Sequence, residues 1–315
     1  MSFAFVFPGQ GSQSVGMLSA LADRYPLVEE TYKNASEVLG FDLWDMTRSG
    51  PEEALNITAN TQPALLTAGV ATWRVWLKEG GTWPSIMAGH SLGEYTALVC
   101  SGVMKFEDAV SIVADRGRYM QEAVPEGVGS MAAILGMDNE KLVSLCEEMA
   151  RGEIVSTANF NSKGQIVIAG HKEAVNRVVE AAASAGAKRS VVLPVSVPSH
   201  CALMRDAADK LACRLAAIDL SPGKIPVLHN VDVTAKTEPE AIKQALVEQL
   251  YMPVRWVEII QAMAAQGIQQ IIECGPGKVL CGLVKRIDRQ LIALPILDPE
   301  TLQKTLADVT GGRSN

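Results

Sequence analysis

Ile86-Met87-Ala88-Gly89-His90-Ser91-Leu92-Gly93-Glu94-Tyr95 decides how this chain folds. Three apolar residues ending on glycine suit the last part of a buried parallel strand. From about Leu92 to Cys100 the pattern is helical, so the chain turns sharply in between. Gly89 and Gly93 bracket Ser91 in a G-x-S-x-G pentapeptide, which holds a serine outward as a nucleophile when it joins a strand to a helix. The helix start adds backbone N–H groups and a positive dipole end where an oxyanion would form. The plain alternative is a Gly-rich βα turn whose serine only caps the helix.

Upstream, Phe3 to Phe7 is a fully apolar run broken by Pro8-Gly9-Gln10-Gly11, a second buried strand. Helical spacing appears from about Pro26 to Leu39, from Gln62 to Leu77 and from Phe106 to Met120. Strands alternating with helices imply a parallel sheet covered on both faces. Around Pro125-Glu126-Gly127 the pattern changes. Strand candidates at 131–135, 154–158, 165–169 and 190–195 alternate with helices at 139–149 and 172–185. The turn Asn161-Ser162-Lys163-Gly164 joins the middle pair. That order is β-α-β-β-α-β, the split βαβ arrangement of ferredoxin-like domains. After Pro198 the larger pattern resumes, with a helix from about Ala202 to Ala217 and strands at Val227-Leu228 and 270–273. The expectation is an α/β domain over 1–123 and 197–315, interrupted by a small domain at 124–196.

The 315 residues carry 28 Lys plus Arg against 35 Asp plus Glu, a net charge of -7. Sequence-independent nucleic-acid binding, which needs a cationic footprint, is therefore not expected. Hydrophobic residues at 48% and charged residues at 20% describe a folded chain rather than a disordered one. Six cysteines at 100, 146, 201, 213, 274 and 281 form no C-x-x-C and no zinc spacing, so they read as buried thiols of a reducing compartment. No metal is expected. The N-terminal apolar run is too short for a signal peptide, and no run of about 18 apolar residues suggests a membrane span. The expected compartment is the cytoplasm.

A serine nucleophile needs a base, and the chain has four histidines: 90, 171, 200 and 229. His90 sits inside the turn and is expected to point away from the Ser91 hydroxyl. His171 reads as a surface residue capping a helix. His229 ends a short strand and suits either a structural or a site role. His200 follows Val197-Pro198-Ser199 at the junction of the two domains, where ligand sites form, and is favoured over His229. No acid stands out as a third member.

Several motifs occur together and in order: Phe5-Val6-Phe7-Pro8-Gly9-Gln10-Gly11-Ser12-Gln13, Thr61-Gln62-Pro63-Ala64, Gly89-His90-Ser91-Leu92-Gly93-Glu94-Tyr95, Arg116-Gly117, Val197-Pro198-Ser199-His200 and Gly275-Pro276-Gly277. In this the chain resembles the malonyl-CoA:acyl carrier protein transacylases of dissociated bacterial fatty acid synthesis, over nearly its whole length. The resemblance implies an α/β-hydrolase-like domain with a ferredoxin-like insertion. It implies ping-pong transfer of a malonyl group from malonyl-CoA through Ser91 to the phosphopantetheine thiol of acyl carrier protein. His200 would be the base, with Gln10 and the Leu92 N–H as the oxyanion hole. A main-chain carbonyl near Gln249 would orient His200, in place of a carboxylate. Arg116 would hold the malonyl carboxylate through two charge-assisted bonds, with Gln62 and Gln165 adding polar contacts. Tyr251-Met252-Pro253-Val254 departs from the family's Tyr-Asn-Pro-Val beside that carbonyl.

Neither Gly9-Gln10-Gly11 nor Gly275-Pro276-Gly277-Lys278 is a P-loop or a dinucleotide fingerprint, so CoA is expected as a substrate and no bound cofactor is implied. An acidic carrier protein would need a local cationic patch. Two clusters qualify, Lys188-Arg189 and Lys285-Arg286 with Arg289, the latter at helical spacing. A monomer is the default expectation. The competing readings are a serine esterase or thioesterase, an acyltransferase with another acyl preference, and a silent carrier-binding scaffold.

Overall fold

The structure is a computed structural model that describes residues 2–195 and 197–311. In chain order its strands are β1 (Phe3–Phe7), β2 (Ile86–Gly89), β3 (Gly129–Leu135), β4 (Val155–Ser162), β5 (Gln165–His171), β6 (Arg189–Val192), β7 (Val227–Leu228), β8 (Gln270–Cys274) and β9 (Ile292–Ile296). They form two sheets.

The larger sheet has the order β7-β2-β1-β8-β9, and every pairing in it is parallel. All five residues of β1 are buried, because helices cover both faces and no position of a central parallel strand meets water. Phe5 and Phe7 face one side with Trp73 and Trp76, while Ala4 and Val6 face the other with Trp256 and Ile260. Phe7 lies opposite Gly89. The loop after β1, carrying Gln10, therefore leaves the sheet at the same end as the Ser91 turn. The helix Thr58–Lys78 starts four residues before the spacing predicts and runs through Pro63. A proline there removes one helical N–H, but the flanking Thr61, Gln62, Ala64 and Leu65 are buried, and that packing outweighs the lost bond.

The smaller sheet has the order β4-β5-β3-β6 and is antiparallel throughout. Its residues alternate between two faces. Ala132, Ile134, Ile166 and Ile168 pack under the helices Asn139–Ala150 and Lys172–Ser184, whereas Met131, Val167 and Ala169 form a second cluster with Cys201 of the following segment. The strands β3 to β6 fall between β2 and β7 in the chain, which is an α/β-hydrolase-like sheet with a small inserted unit. The expected end of the insertion at 196, the first residue and residues 312–315 lie outside the described residues. Backbone bonds tie the two parts: Phe160 N–H donates to Val254 O at 2.9 Å, and Val254 N–H donates to Ala158 O at 2.8 Å.

Three local expectations change. The helix Val279–Ile287 ends before Arg289, so Arg289 shares no helical face with Lys285. His171 holds the N-cap position of the helix Lys172–Ser184 without a side-chain capping bond; its Nδ1 instead accepts the Ile154 N–H at 2.9 Å and so joins β5 to the segment entering β4. Cys213 is exposed, because it faces outward from the amphipathic helix Arg205–Ala216, while the other five cysteines are buried. The Gly275-Pro276-Gly277 loop feeds the helix Val279–Ile287, where the buried Glu273 carboxylate accepts the N–H groups of Leu280 and Cys281 at 3.0 and 2.7 Å.

Candidate active site

Ser91 sits at φ 51°, a left-handed conformation that a non-glycine residue holds only when its surroundings force it. The flanking glycines make the turn possible. A Cβ on Gly89 would lie 1.8 Å from the Gly93 carbonyl carbon, and one on Gly93 would lie 2.1 Å from Phe7 O. The turn is held from behind by two side-chain amides. Ser91 N–H donates to Asn230 Oδ1 at 2.8 Å, and Gln249 Nε2 donates to Ser91 O at 3.0 Å.

The turn presents the Ser91 hydroxyl to His200. Ser91 Oγ lies 2.8 Å from His200 Nε2. On the other side of the ring, His200 Nδ1 donates to the Gln249 carbonyl oxygen at 2.6 Å. That bond fixes the tautomer with Nε2 free to accept the serine proton. His200, itself at φ 63°, is anchored by its own N–H on Leu250 O at 2.9 Å. Burial, followed by the charge of Arg116, lowers its pKa from 6.5 to about 3, so the ring is neutral around pH 7. The unusual Met252 has an exposed side chain (39%), and the carbonyl contact to His200 survives beside it.

Arg116 is 1% exposed on the helix Phe106–Ala123, a side chain of a type almost never found so deep without a partner. Its Nη1 donates to Gln62 Oε1 at 2.7 Å, and its Nη2 donates to Gln249 Oε1 at 3.0 Å and to Ser91 Oγ at 3.4 Å. The guanidinium also lies 5.5 Å over the Tyr95 ring. Its hydrogen-bond partners are neutral, and no carboxylate lies within 4.0 Å of it among the described residues. Nε has no partner either. A buried cation served only by amides and a hydroxyl is poised for an anion.

Leu92 follows the nucleophile at the start of the helix Gly93–Cys100, and its N–H makes no hydrogen bond among the described residues. The same holds for the main-chain N–H of Gln10, whose side chain instead donates to Thr58 Oγ1 at 3.3 Å. A free N–H directly after Ser91, as at Leu92, suits an oxyanion, and the Gln10 loop leaves the sheet at the same end. Gln62 is fully buried and belongs to the Arg116 set. Gln165 goes elsewhere: its Oε1 accepts from Arg286 Nη1 at 2.6 Å and from Ser162 Oγ at 3.3 Å. Lys188, Arg189, Lys285 and Arg286 are all exposed. Strand register brings the two basic clusters together, because Arg189 lies opposite Leu135 and Leu135 opposite Gln165.

Glu94 and Asn230 escaped the sequence reading, while His229, left open there between a structural and a site role, pairs with Glu94 and not with Ser91. Glu94, His229 and Asn230 are fully buried behind the elbow. His229 Nδ1 donates to Glu94 Oε1 at 2.7 Å, while Asn230 N–H and Gln249 Nε2 each donate to Glu94 Oε2 at 2.9 Å. Glu94 follows the pentapeptide directly, on a helix whose neighbours are apolar, and a charged residue in such a run is the signal that could have found it. His90 turns away from Ser91 as expected; its Nε2 donates to Asn161 Oδ1 at 2.8 Å and its ring lies 5.4 Å from Trp256. Among the described residues no three His, Cys, Asp or Glu side chains converge as a metal site, and no helix is long and apolar enough to cross a membrane.

A serine–histidine pair on the elbow of an α/β-hydrolase-like sheet, with a buried guanidinium in reach of the hydroxyl, defines a serine acyl-transfer protein. The acyl transferase domain family matches residues 4–297. Malonyl CoA-acyl carrier protein transacylase of Salmonella typhimurium is 59% identical over 304 residues, covering 96% of this chain and 98% of that protein. The Bacillus subtilis enzyme of the same name is 46% identical over 301 residues, covering 95% of each. A malonyl-transacylase solved with its type II polyketide acyl carrier protein superposes with TM-score 0.97 at 56% identity, covering 98% of this chain and 100% of that one. The chain belongs to the malonyl-CoA–acyl carrier protein transacylase family.

Proposed function

We infer that this chain carries a malonyl group from malonyl-CoA to the phosphopantetheine thiol of acyl carrier protein, by way of a malonyl ester on Ser91. The observation that carries the reading is the burial of Arg116 among neutral partners, 3.4 Å from the Ser91 hydroxyl. A plain esterase has no need for such a group. A donor with a carboxylate two carbons from its thioester carbon supplies the missing counter-charge, through the paired geometry that guanidinium and carboxylate share.

In the first half-reaction Ser91 Oγ attacks the thioester carbonyl carbon while His200 Nε2 takes the hydroxyl proton. The C=O electron pair moves to the oxygen, where the N–H groups of Leu92 and Gln10 receive the charge. Collapse of the tetrahedral adduct breaks the C–S bond, and the His200 imidazolium protonates the departing CoA sulfur. The second half runs in reverse with the carrier thiol: His200 takes its proton, sulfur attacks the ester, and Ser91 leaves as the alcohol. Gln62 and Gln249 hold the guanidinium in line throughout, and the Gln249 carbonyl holds the base.

Acyl carrier protein is the partner of this second half. We propose that it docks on Lys188, Arg189, Lys285 and Arg286. Support comes from the row Arg189–Leu135–Gln165, which spans about 10 Å across three strands and ends on the Arg286 guanidinium. The hairpin that carries Gln165 also carries Asn161, the hydrogen-bond partner of His90 in the elbow. We further propose that the inserted unit spans 124–196 and the catalytic unit 1–123 and 197–315, with Gln165 a linking residue rather than an acyl contact.

Intact-mass measurement after mixing with malonyl-CoA tests the reading. One malonyl adduct on the native protein, absent from Ser91→Ala and discharged by holo carrier protein, is expected. Release of CoA with no adduct and no acceptor would instead identify a thioesterase.

A further inference from the structure

Behind the reacting groups lies a fully buried carboxylate that the transfer steps do not use. Glu94 occupies the first turn of the helix after Ser91 and is out of reach of solvent. Two of its three donors, Asn230 and Gln249, serve the site. Asn230, held by its own N–H, accepts the Ser91 N–H through Oδ1 and donates to Gly89 O at 2.7 Å through Nδ2. Gln249 donates to Glu94 and to Ser91 O through the same nitrogen, which leaves its oxygen facing Arg116. A side-chain amide can sit either way round, and its neighbours decide. Here an acceptor at Glu94 forces nitrogen inward and oxygen toward the guanidinium. Were Gln249 reversed, its NH₂ would face Arg116 and two donors would repel.

We propose that Glu94 is the positioning residue of this site: by fixing the Gln249 amide and the Asn230 side chain, it aims the Arg116 guanidinium and holds the strained Ser91 turn. The inference rests on the acyl-transfer reading above. Position, not charge, is the requirement. In Glu94→Gln the new oxygen can accept from Asn230 and Gln249, while the new NH₂ donates to His229 Nδ1. His229 permits this by moving its proton to Nε2, an atom with no partner to lose. Glu94→Asp keeps the charge but withdraws it by one methylene, away from all three donors.

The test compares acylation by malonyl-CoA and by acetyl-CoA, followed as CoA release, in the native protein and in Glu94→Gln, Glu94→Asp and Glu94→Ala. Expected is a fall of at least about tenfold in the malonyl-over-acetyl preference for Asp and Ala, since misaiming a clamp harms only the donor that uses it. Gln should restore the preference. Equal losses with both donors would reduce Glu94 to a support of the fold and overturn the proposal. So would a functional Asp variant beside a defective Gln variant, because charge would then be what matters. If Ala does not fold, the Gln and Asp pair decides alone. Absence of any malonyl adduct on the native protein would sink the acyl-transfer reading itself, whereas a normal adduct with unchanged preference in Asp sinks only this inference.

Discussion

His200 Nδ1 lies 2.6 Å from the main-chain oxygen of Gln249, where a hydrolase of this fold would set a carboxylate. A carbonyl holds the ring and its tautomer but offers no negative charge to the imidazolium. The Glu94 carboxylate is paired with His229 and reaches Gln249 through its side chain. As a base, His200 would therefore be oriented without being strengthened. For a transferase that suits the task, since a carrier thiol is a far better nucleophile toward an ester than water, and a weak base discriminates against water.

Removing the reacting pair should separate binding from chemistry. Ser91→Ala abolishes the malonyl adduct while leaving the fold intact. His200→Ala slows CoA release by about 10²–10⁴-fold, the usual worth of a positioned base. His229→Ala, which loses a support of Glu94, should be milder in rapid-mixing measurements. A reversed ranking of the two histidine variants would reassign the base.

The pH dependence follows from the sign of the His200 shift. Its pKa is lowered to about 3, so acylation should lack an acid limb near pH 6.5 and fall only toward the acid end of the range. Between pH 6.5 and about 3 the unfolded chain binds a proton at His200 that the native one refuses. Stability contributed by this group is thus complete above pH 6.5 and is lost as pH falls through that window. Arg116→Met removes one cause of the shift, so its acid limb with acetyl-CoA should move upward. A limb that stays in place would mean that the Arg116 charge does not reach the base.

Arg116→Ala should weaken malonyl transfer strongly while leaving acetyl transfer level or higher. Losing one partner of a buried charge pair costs about 2–5 kcal/mol, so the donor ratio shifts by at least about tenfold. Arg116→Lys recovers only part of this, because an ammonium cannot make the paired contact. Competition between the two donors in one reaction reads the ratio directly. Equal losses would make Arg116 a structural residue.

Charge reversal at Lys285 and Arg286, or at Lys188 and Arg189, should raise the apparent KM for carrier protein and spare acylation by malonyl-CoA. The effect should shrink with added salt, since exposed charges are screened over about 8 Å at physiological ionic strength. Unchanged acceptor kinetics at low salt in both double variants would move the docking surface elsewhere.

What the sequence alone determined here is local in origin. Apolar runs ended by glycine placed the strands, the period of the helices placed their covers, and Gly89 and Gly93 marked the elbow. Those signals depend on neighbours a few residues apart, so they survive in one dimension. The switch from parallel to ferredoxin-like pattern near Pro125 was legible for the same reason. The contact behind the choice of His200 over His229 was not: the domain junction favoured His200, but only the fold sets Ser91 against it across 109 positions and His229 against Glu94 across 135. The joining of the basic clusters needed β-strand register, and Gln165 left the acyl site for Arg286 across 121 residues. Even a family resemblance that named Gln249 as the source of a carbonyl did not say that its amide links Arg116 to Glu94. Hydrogen-bond partners are chosen by which groups are buried together, and only the packed chain decides that.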